Sequence, residues 1–423
     1  FAFTTRMLRR CFYLLVALTW MSSALIQLDP STKFFKDEYG RVRIFHGVNA
    51  VYKATPWYPE PTGFDPQNSL SEEDAQNLQN WGFNAVRLGV MFPGVEPSVG
   101  YFNYTYLDTM NGIIDTLYDY GIYSIVDTHQ DLFSGKFCGE GFPDWAVDQT
   151  HSLPFALPIG PVLLGEPPNG YPNLTLCHEK SFFEYYFAEA VGVAFQNLYN
   201  NTNGLQDEFA TYWSVLAKYF SDSEAVLAYE LINEPWAGNI YGDVELLLPG
   251  VADKKNLMPM YEILNDVIRE WDDQHIIFYE QAVSNEVGSN GLTQGPGGSS
   301  YNNRQAYSYH VYCAPTDSYG TPTNITACNI ENSYIFEDAQ KNMGNMGVGG
   351  FMTEFGAVPN TPPSIDAIQY LTELADTKFQ SWTYWQFKYF NDITTSGTGE
   401  SFYDENGNLE TAKVKALSRT YAP

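Results

Sequence analysis

Between residues 43 and 386 one pattern recurs eight times: a short, nearly continuous apolar run followed by a longer polar or amphipathic stretch. The runs are Arg43–Val48, Ala85–Val90, Tyr123–Thr128, Ala225–Ile232, Ile276–Glu280, Tyr307–His310, Gly349–Thr353 and Ser381–Gln386. Runs of this kind are the mark of strands buried on both faces, as in a parallel sheet covered by helices. Helical periodicity lies between them, for example at Ser71–Trp81, Leu107–Tyr120, Ser181–Tyr199, Met258–Trp271 and Ser364–Leu374. Eight strands with intervening helices predict an α/β fold, a (β/α)8 TIM barrel over residues 30–415. An open doubly wound sheet is the alternative, weakened because no glycine-rich phosphate fingerprint follows the first run.

In such a barrel, functional side chains gather where the strands stop. Glu234 closes LAYELINEPW (227–236) and Glu354 closes the apolar part of VGGFMTEFGA (348–357), each followed by a Pro or Gly. Arg87 belongs to strand two, and His129 and Asp131 follow strand three in VDTHQD. Asn233 precedes Glu234, His310 and Tyr312 sit in YSYHVY, and Trp382 and Trp385 sit in SWTYWQF. Two carboxylates at one rim suit glycosidic bond cleavage: one protonates the leaving oxygen and the other attacks the anomeric carbon. A nearby ionised carboxylate raises the pKa that a general acid needs. Arg87 and Tyr312 suit a partner role, holding the attacking carboxylate ionised and oriented, and Asn233 can donate to a sugar 2-hydroxyl. A strand-eight Trp can floor a sugar ring. No HExxH or paired-Cys spacing occurs, so neither a catalytic metal nor a cofactor is expected.

Charge narrows the partners. Fifty acidic residues against 22 basic give a net charge of −28, which argues against nucleic acid and against electrostatic docking on anionic membranes. Arg6, Arg9 and Arg10 precede an apolar stretch, Cys11–Trp20, and the small residues Ser22, Ser23 and Ala24. Residues 1–24 therefore read as a secretory signal peptide, with 1–6 upstream of a start at Met7; a signal anchor is the alternative. Secretion, or delivery to a lysosomal or digestive lumen, permits disulfides. Of three possible pairings of the remaining cysteines, Cys138–Cys177 with Cys313–Cys328 is favoured because each then closes a single long loop. Asn103, Asn173, Asn200 and Asn324 open Asn-x-Thr sequons.

Two connections are long for a compact domain, about His129–Lys180 and Pro235–Leu257, and loops of that length are usually functional. Both carry apolar segments, Leu153–Leu164 and Leu246–Leu248. They either pack on each other or flank a groove for a lipid tail.

The strand-end set resembles glycoside hydrolase family 5, and HGVNAVYKATPWYP, VDTHQDLFSGKFCGEGFPDWAVD, LAYELINEPWAGN and SWTYWQFK resemble its endoglycoceramidases, those of cnidarians in particular. The resemblance covers roughly residues 40–420. It implies a retaining enzyme that hydrolyses the bond between oligosaccharide and ceramide in glycosphingolipids, Glu234 being acid/base and Glu354 nucleophile. It also implies sugar contacts at Lys53, Asp131, Trp145 and Trp382, and peripheral contact with lipid aggregates. A β-glucosylceramidase or endo-β-glucanase of the same clan, or an inactive glycolipid-binding barrel, are the alternatives. Family members usually carry a C-terminal β-sandwich, so residues 416–423 are expected to begin a truncated region of that kind.

Overall fold

The computed structural model describes residues 25–147, 171–285, 290–395 and 397–419. The N-terminal segment 1–24 and the apolar segment Leu153–Leu164 lie outside them. No helix among the described residues is long and apolar enough to cross a membrane.

Three two-residue strands come first: β1 (Gln27–Leu28), β2 (Phe35–Lys36) and β3 (Val42–Arg43), paired antiparallel in chain order. The eight predicted strands follow as β4 (His46–Ala50), β5 (Ala85–Gly89), β6 (Tyr123–Asp127), β7 (Val226–Glu230), β8 (Ile276–Tyr279), β9 (Gln305–Val311), β10 (Gly349–Phe355) and β11 (Ser381–Tyr384). They pair in parallel and in sequence, and β11 closes on β4, giving the expected closed barrel. Every residue of β5, β7, β8, β9, β10 and β11 is buried, which is why these runs lack the alternation of a half-exposed strand.

The small antiparallel sheet was not legible in the sequence, because two-residue strands leave no periodicity. Its role is plain in the packing. Phe35 projects into the bottom of the barrel, its ring centroid 5.5 Å from Phe45, 6.3 Å from Phe278 and 6.0 Å from Phe351. With Ile125, Leu227 and Ile276 these rings fill the lower barrel, so the polar residues above them face only the upper rim. A second apolar layer lies between strands and helices.

Two helices absent from the sequence reading, Leu205–Phe220 and Ile325–Met346, complete the outer ring. The helix expected over Ser181–Tyr199 is broken: Phe182–Phe187 is 3-10, Ala188 is extended (φ −70, ψ 134), and the α-helix starts at Glu189. Strand β7 is also shorter than predicted. It stops at Glu230, and residues 231–234 continue as irregular chain across the rim. Cys138 pairs with Cys177 and Cys313 with Cys328, each closing a loop that follows a strand, as expected.

Candidate active site

The predicted strand-end residues converge on the upper rim around one buried cation. Arg87, in the middle of β5, is completely buried. Its Nη1 donates to Glu354 Oε1 at 2.5 Å and to Asn49 Oδ1 at 3.0 Å, and its Nη2 donates to Asn233 Oδ1 at 2.8 Å. Its Nε donates to Glu230, and Asp127 lies 3.2 Å from Nη2. Burial opposes the guanidinium charge, but Asp127, Glu230 and Glu354 hold it protonated.

Glu354 is in register with His310 on the neighbouring strand, where β9 and β10 slip by one residue after Met352. Tyr312 O–H donates to Glu354 Oε2 at 2.6 Å, so both carboxylate oxygens are engaged. Burial raises the Glu354 pKa, yet the charges of His310 and Arg87 override it and hold the carboxyl below its ordinary 4.5. Tyr312 is pushed the other way, chiefly by burial and by Glu354, and stays a neutral donor.

Glu234 stands four residues past β7 with φ +38, a left-handed conformation uncommon outside glycine. His310 Nδ1 lies 2.7 Å from Glu234 Oε1 and 3.5 Å from Glu354 Oε2. Burial works against an imidazolium here, but Glu354, Glu280 and Glu234 hold the His310 pKa well above 6.5. Ligand atoms of Glu234, His310 and Glu354 all lie within 4.8 Å of one another. That separation of the two carboxylates fits a direct attack and leaves no room for a water between them, which needs about 6.5–9.5 Å.

The second cluster forms where β4 and β6 end. Lys53, 1% exposed, contacts Asp131 and lies 3.3 Å from both Glu140 and Asp392. His129 Nδ1 bonds Asp127 Oδ2 at 2.8 Å, and its ring stacks on Trp385 with centroids 5.0 Å apart. Burial opposes the His129 charge, while Asp127 and Asp131 raise its pKa. Groups His129–Asp131–Glu140, Glu230–Glu280–His310 and Glu234–His310–Glu354 each bring three ligand atoms close enough for a metal. The first already faces Lys53 and the second Arg87, and a second positive charge there is repelled.

One site assignment needs correction. Trp382 is fully buried: it stacks on His46 at 4.4 Å and meets Phe355 edge-on at 5.3 Å. Lying inside β11, it packs in the layer between strands and helices. The rim position belongs to Trp385, one residue past the strand. Its Nε1 donates to Glu400 Oε2 at 2.8 Å, and Val51, Met91 and Tyr312 pack around it. Trp145 sits in a 3-10 turn, donates to the Glu96 carbonyl at 3.1 Å and packs edge-on against Phe92, so its described contacts are with loop and core.

Sequence reasoning missed Gln130 and Glu280. Gln130 Nε2 donates to the carbonyls of Asn233 (2.7 Å) and Glu234 (2.9 Å), bracing the segment that carries Glu234. Its place between His129 and Asp131 was the available signal. Of the apolar segment in the other long loop, Leu246 is buried in the core, whereas Leu247 and Leu248 are 39% and 55% exposed, beside Val244 at 71%.

The sequence matches a family model described as Cellulase (glycosyl hydrolase family 5) over residues 45–391. It is 39% identical over 402 residues to an endoglycoceramidase of Cyanea nozakii, covering 95% of this chain and 77% of that protein. To an endoglycoceramidase of Hydra vulgaris it is 39% identical over 409 residues, covering 97% of this chain and 75% of the other. Among solved structures, endo-glycoceramidase II from Rhodococcus sp., bound to a five-membered iminocyclitol, aligns with TM-score 0.69 and 25% identity over 90% of this chain and 80% of its own.

Proposed function

We propose that this chain, which belongs to glycosyl hydrolase family 5, is a retaining endo-β-glycosidase that releases the intact oligosaccharide of glycosphingolipids from ceramide. The observation that carries the chemistry is the Glu234–Glu354 pair, close enough for direct attack and unequally partnered. Glu354, held ionised by Arg87 and His310, is the nucleophile that forms a glycosyl-enzyme ester. Glu234 protonates the ceramide oxygen as it leaves, then deprotonates the water that hydrolyses the ester. Asn233 is anchored through Oδ1 to Arg87 and through one Nδ2 hydrogen to the Gln130 carbonyl at 2.9 Å; the other hydrogen suits a sugar 2-hydroxyl.

Lys53, Asp131 and His129 lie around Trp385 and would meet sugar hydroxyls, with Trp385 as the flat apolar surface. Trp385→Ala is expected to raise KM of the folded fraction for glycolipid about tenfold and, because Trp385 packs buried against Val51, Met91 and His129, to cost stability as well. Trp382→Ala is expected to cost about 3–5 kcal/mol of stability, the range for a large core aromatic, and to leave KM of the folded fraction nearly unchanged. The reverse pattern would restore Trp382 as the platform.

The exposed Val244, Leu247 and Leu248 are the side chains we assign to ceramide or to the surface of a lipid aggregate. The two disulfides support a secreted or luminal life, and Asn173, Asn200 and Asn324 are exposed positions for glycans. The test is product analysis after incubation with a ganglioside and, separately, with glucosylceramide. Intact oligosaccharide plus ceramide from the ganglioside is expected, with the β-anomer formed first. Release of glucose from glucosylceramide alone would move the assignment to a glucosylceramidase.

A further inference from the structure

Glu280, the residue immediately after β8, is 5% exposed and has no part in the two-carboxylate chemistry. Its Oε1 accepts the backbone N–H of Glu234 at 2.6 Å. Its Oε2 lies 3.9 Å from His310 Nε2, the ring nitrogen turned away from Glu234. Its own carbonyl accepts the Tyr261 hydroxyl at 2.9 Å, which ties this end of β8 to the helix Met258–Arg269. We propose that Glu280 is a positioning residue that sets the orientation of Glu234 for proton transfer, acting on its backbone directly and on its carboxyl through His310. This rests on the acid/base role proposed for Glu234.

The need for such a device follows from the chain path. Ladder pairing of β7 ends at Glu230, so the N–H of Glu234 has no partner strand. A buried N–H without an acceptor is costly, and the left-handed conformation of Glu234 adds strain that neighbouring contacts must hold in place. A neutral side chain would satisfy that N–H with a smaller desolvation penalty than a carboxylate. The carboxyl has a second use. Glu280 lies on the Nε2 side of His310, while Glu234 and Glu354 lie on the Nδ1 side. Burial, with Glu230 and Glu234 nearby, pushes the Glu280 pKa well above 4.5 while His310 pulls it back, so the carboxyl faces Nε2 as a proton-sharing partner and leaves Nδ1 as the contact to Glu234. Glu280 thus reaches the same residue at two points, its N–H and its carboxyl.

Proton donation matters in proportion to how poor the leaving group is. The closing experiment compares kcat/KM of Glu280→Ala and Glu280→Gln in the full chain on two lactosides. One carries 2,4-dinitrophenol, which leaves without protonation; the other carries an unactivated phenol. For Glu280→Ala the expected loss on the unactivated substrate is roughly 100-fold, the scale of a 1 Å misplacement, against less than about threefold on the dinitrophenyl substrate. Glu280→Gln, which keeps an acceptor for the Glu234 N–H but cannot share a proton with His310, should fall between and serves if the alanine variant does not fold. Equal losses on both substrates, or none, overturn the proposal. Glu234→Ala is measured alongside with azide as an external nucleophile. If that variant lacks both leaving-group dependence and azide rescue, the acid/base assignment itself fails and takes this proposal with it.

Discussion

Replacing Glu354 with Gln is expected to lower kcat on glycolipid by roughly 10⁴-fold or more while KM or Kd changes little, since the covalent step loses its nucleophile. The amide is isosteric: its one oxygen can still accept from Arg87 Nη1, and its NH2 then faces Tyr312 and can donate to that hydroxyl oxygen, so the cavity keeps its shape. What it cannot do is attack an anomeric carbon. Measurement of kcat with titration of a non-hydrolysed substrate analogue decides this. Near-normal turnover would mean that another carboxylate, Glu230 or Glu234, is the nucleophile. The Gln variant should unfold at a somewhat lower urea midpoint at neutral pH, because the depressed pKa of Glu354 means its charge contributes to stability there.

Arg87→Met carries the second large effect, on stability and catalysis together. With the guanidinium gone, Asp127, Glu230 and Glu354 remain buried without their shared cation. Breaking a buried pair from one side costs about 3–5 kcal/mol. The sign with pH follows from Glu354, whose folded pKa is depressed in the wild type. A depressed carboxyl contributes stability that is present above its unfolded pKa and is lost as pH falls through the lower folded value. In the variant that contribution disappears or reverses, so the deficit should be largest at neutral and alkaline pH and should narrow on acidification. For the same reason the acid limb of kcat/KM, which requires an ionised nucleophile, should move to higher pH. Urea unfolding at pH 5 and pH 8, with a pH–rate profile, checks both. A deficit that widens on acidification would contradict the assignment of Arg87 as the cation holding these carboxylates.

Much of this was written locally. Strands buried on both faces are mostly apolar, so the barrel announced itself as eight runs, and strand ends deliver side chains to one rim whatever the helices do. That is why Arg87, His129, Glu234, His310, Tyr312 and Glu354 could be named together, and why each disulfide could be assigned to one loop.

Tertiary structure decided the rest, for three physical reasons. A strand's last residue is set by its neighbours' hydrogen bonds; β11 ends at Tyr384, so Trp385 reaches the rim while Trp382, equally aromatic and three residues earlier, packs in the core. A barrel bottom must be closed by something, but the closing element needed only Phe35 on a sheet of three two-residue strands, too short to leave a pattern. Supporting residues act across strands: Glu280 meets the N–H of Glu234, 46 positions away, and Gln130 meets its carbonyl from 104. The sequence by itself determined which kinds of side chain arrive at the rim. Only closure of the barrel determined which of them touch, because those partners belong to different strands and no local periodicity records their distance.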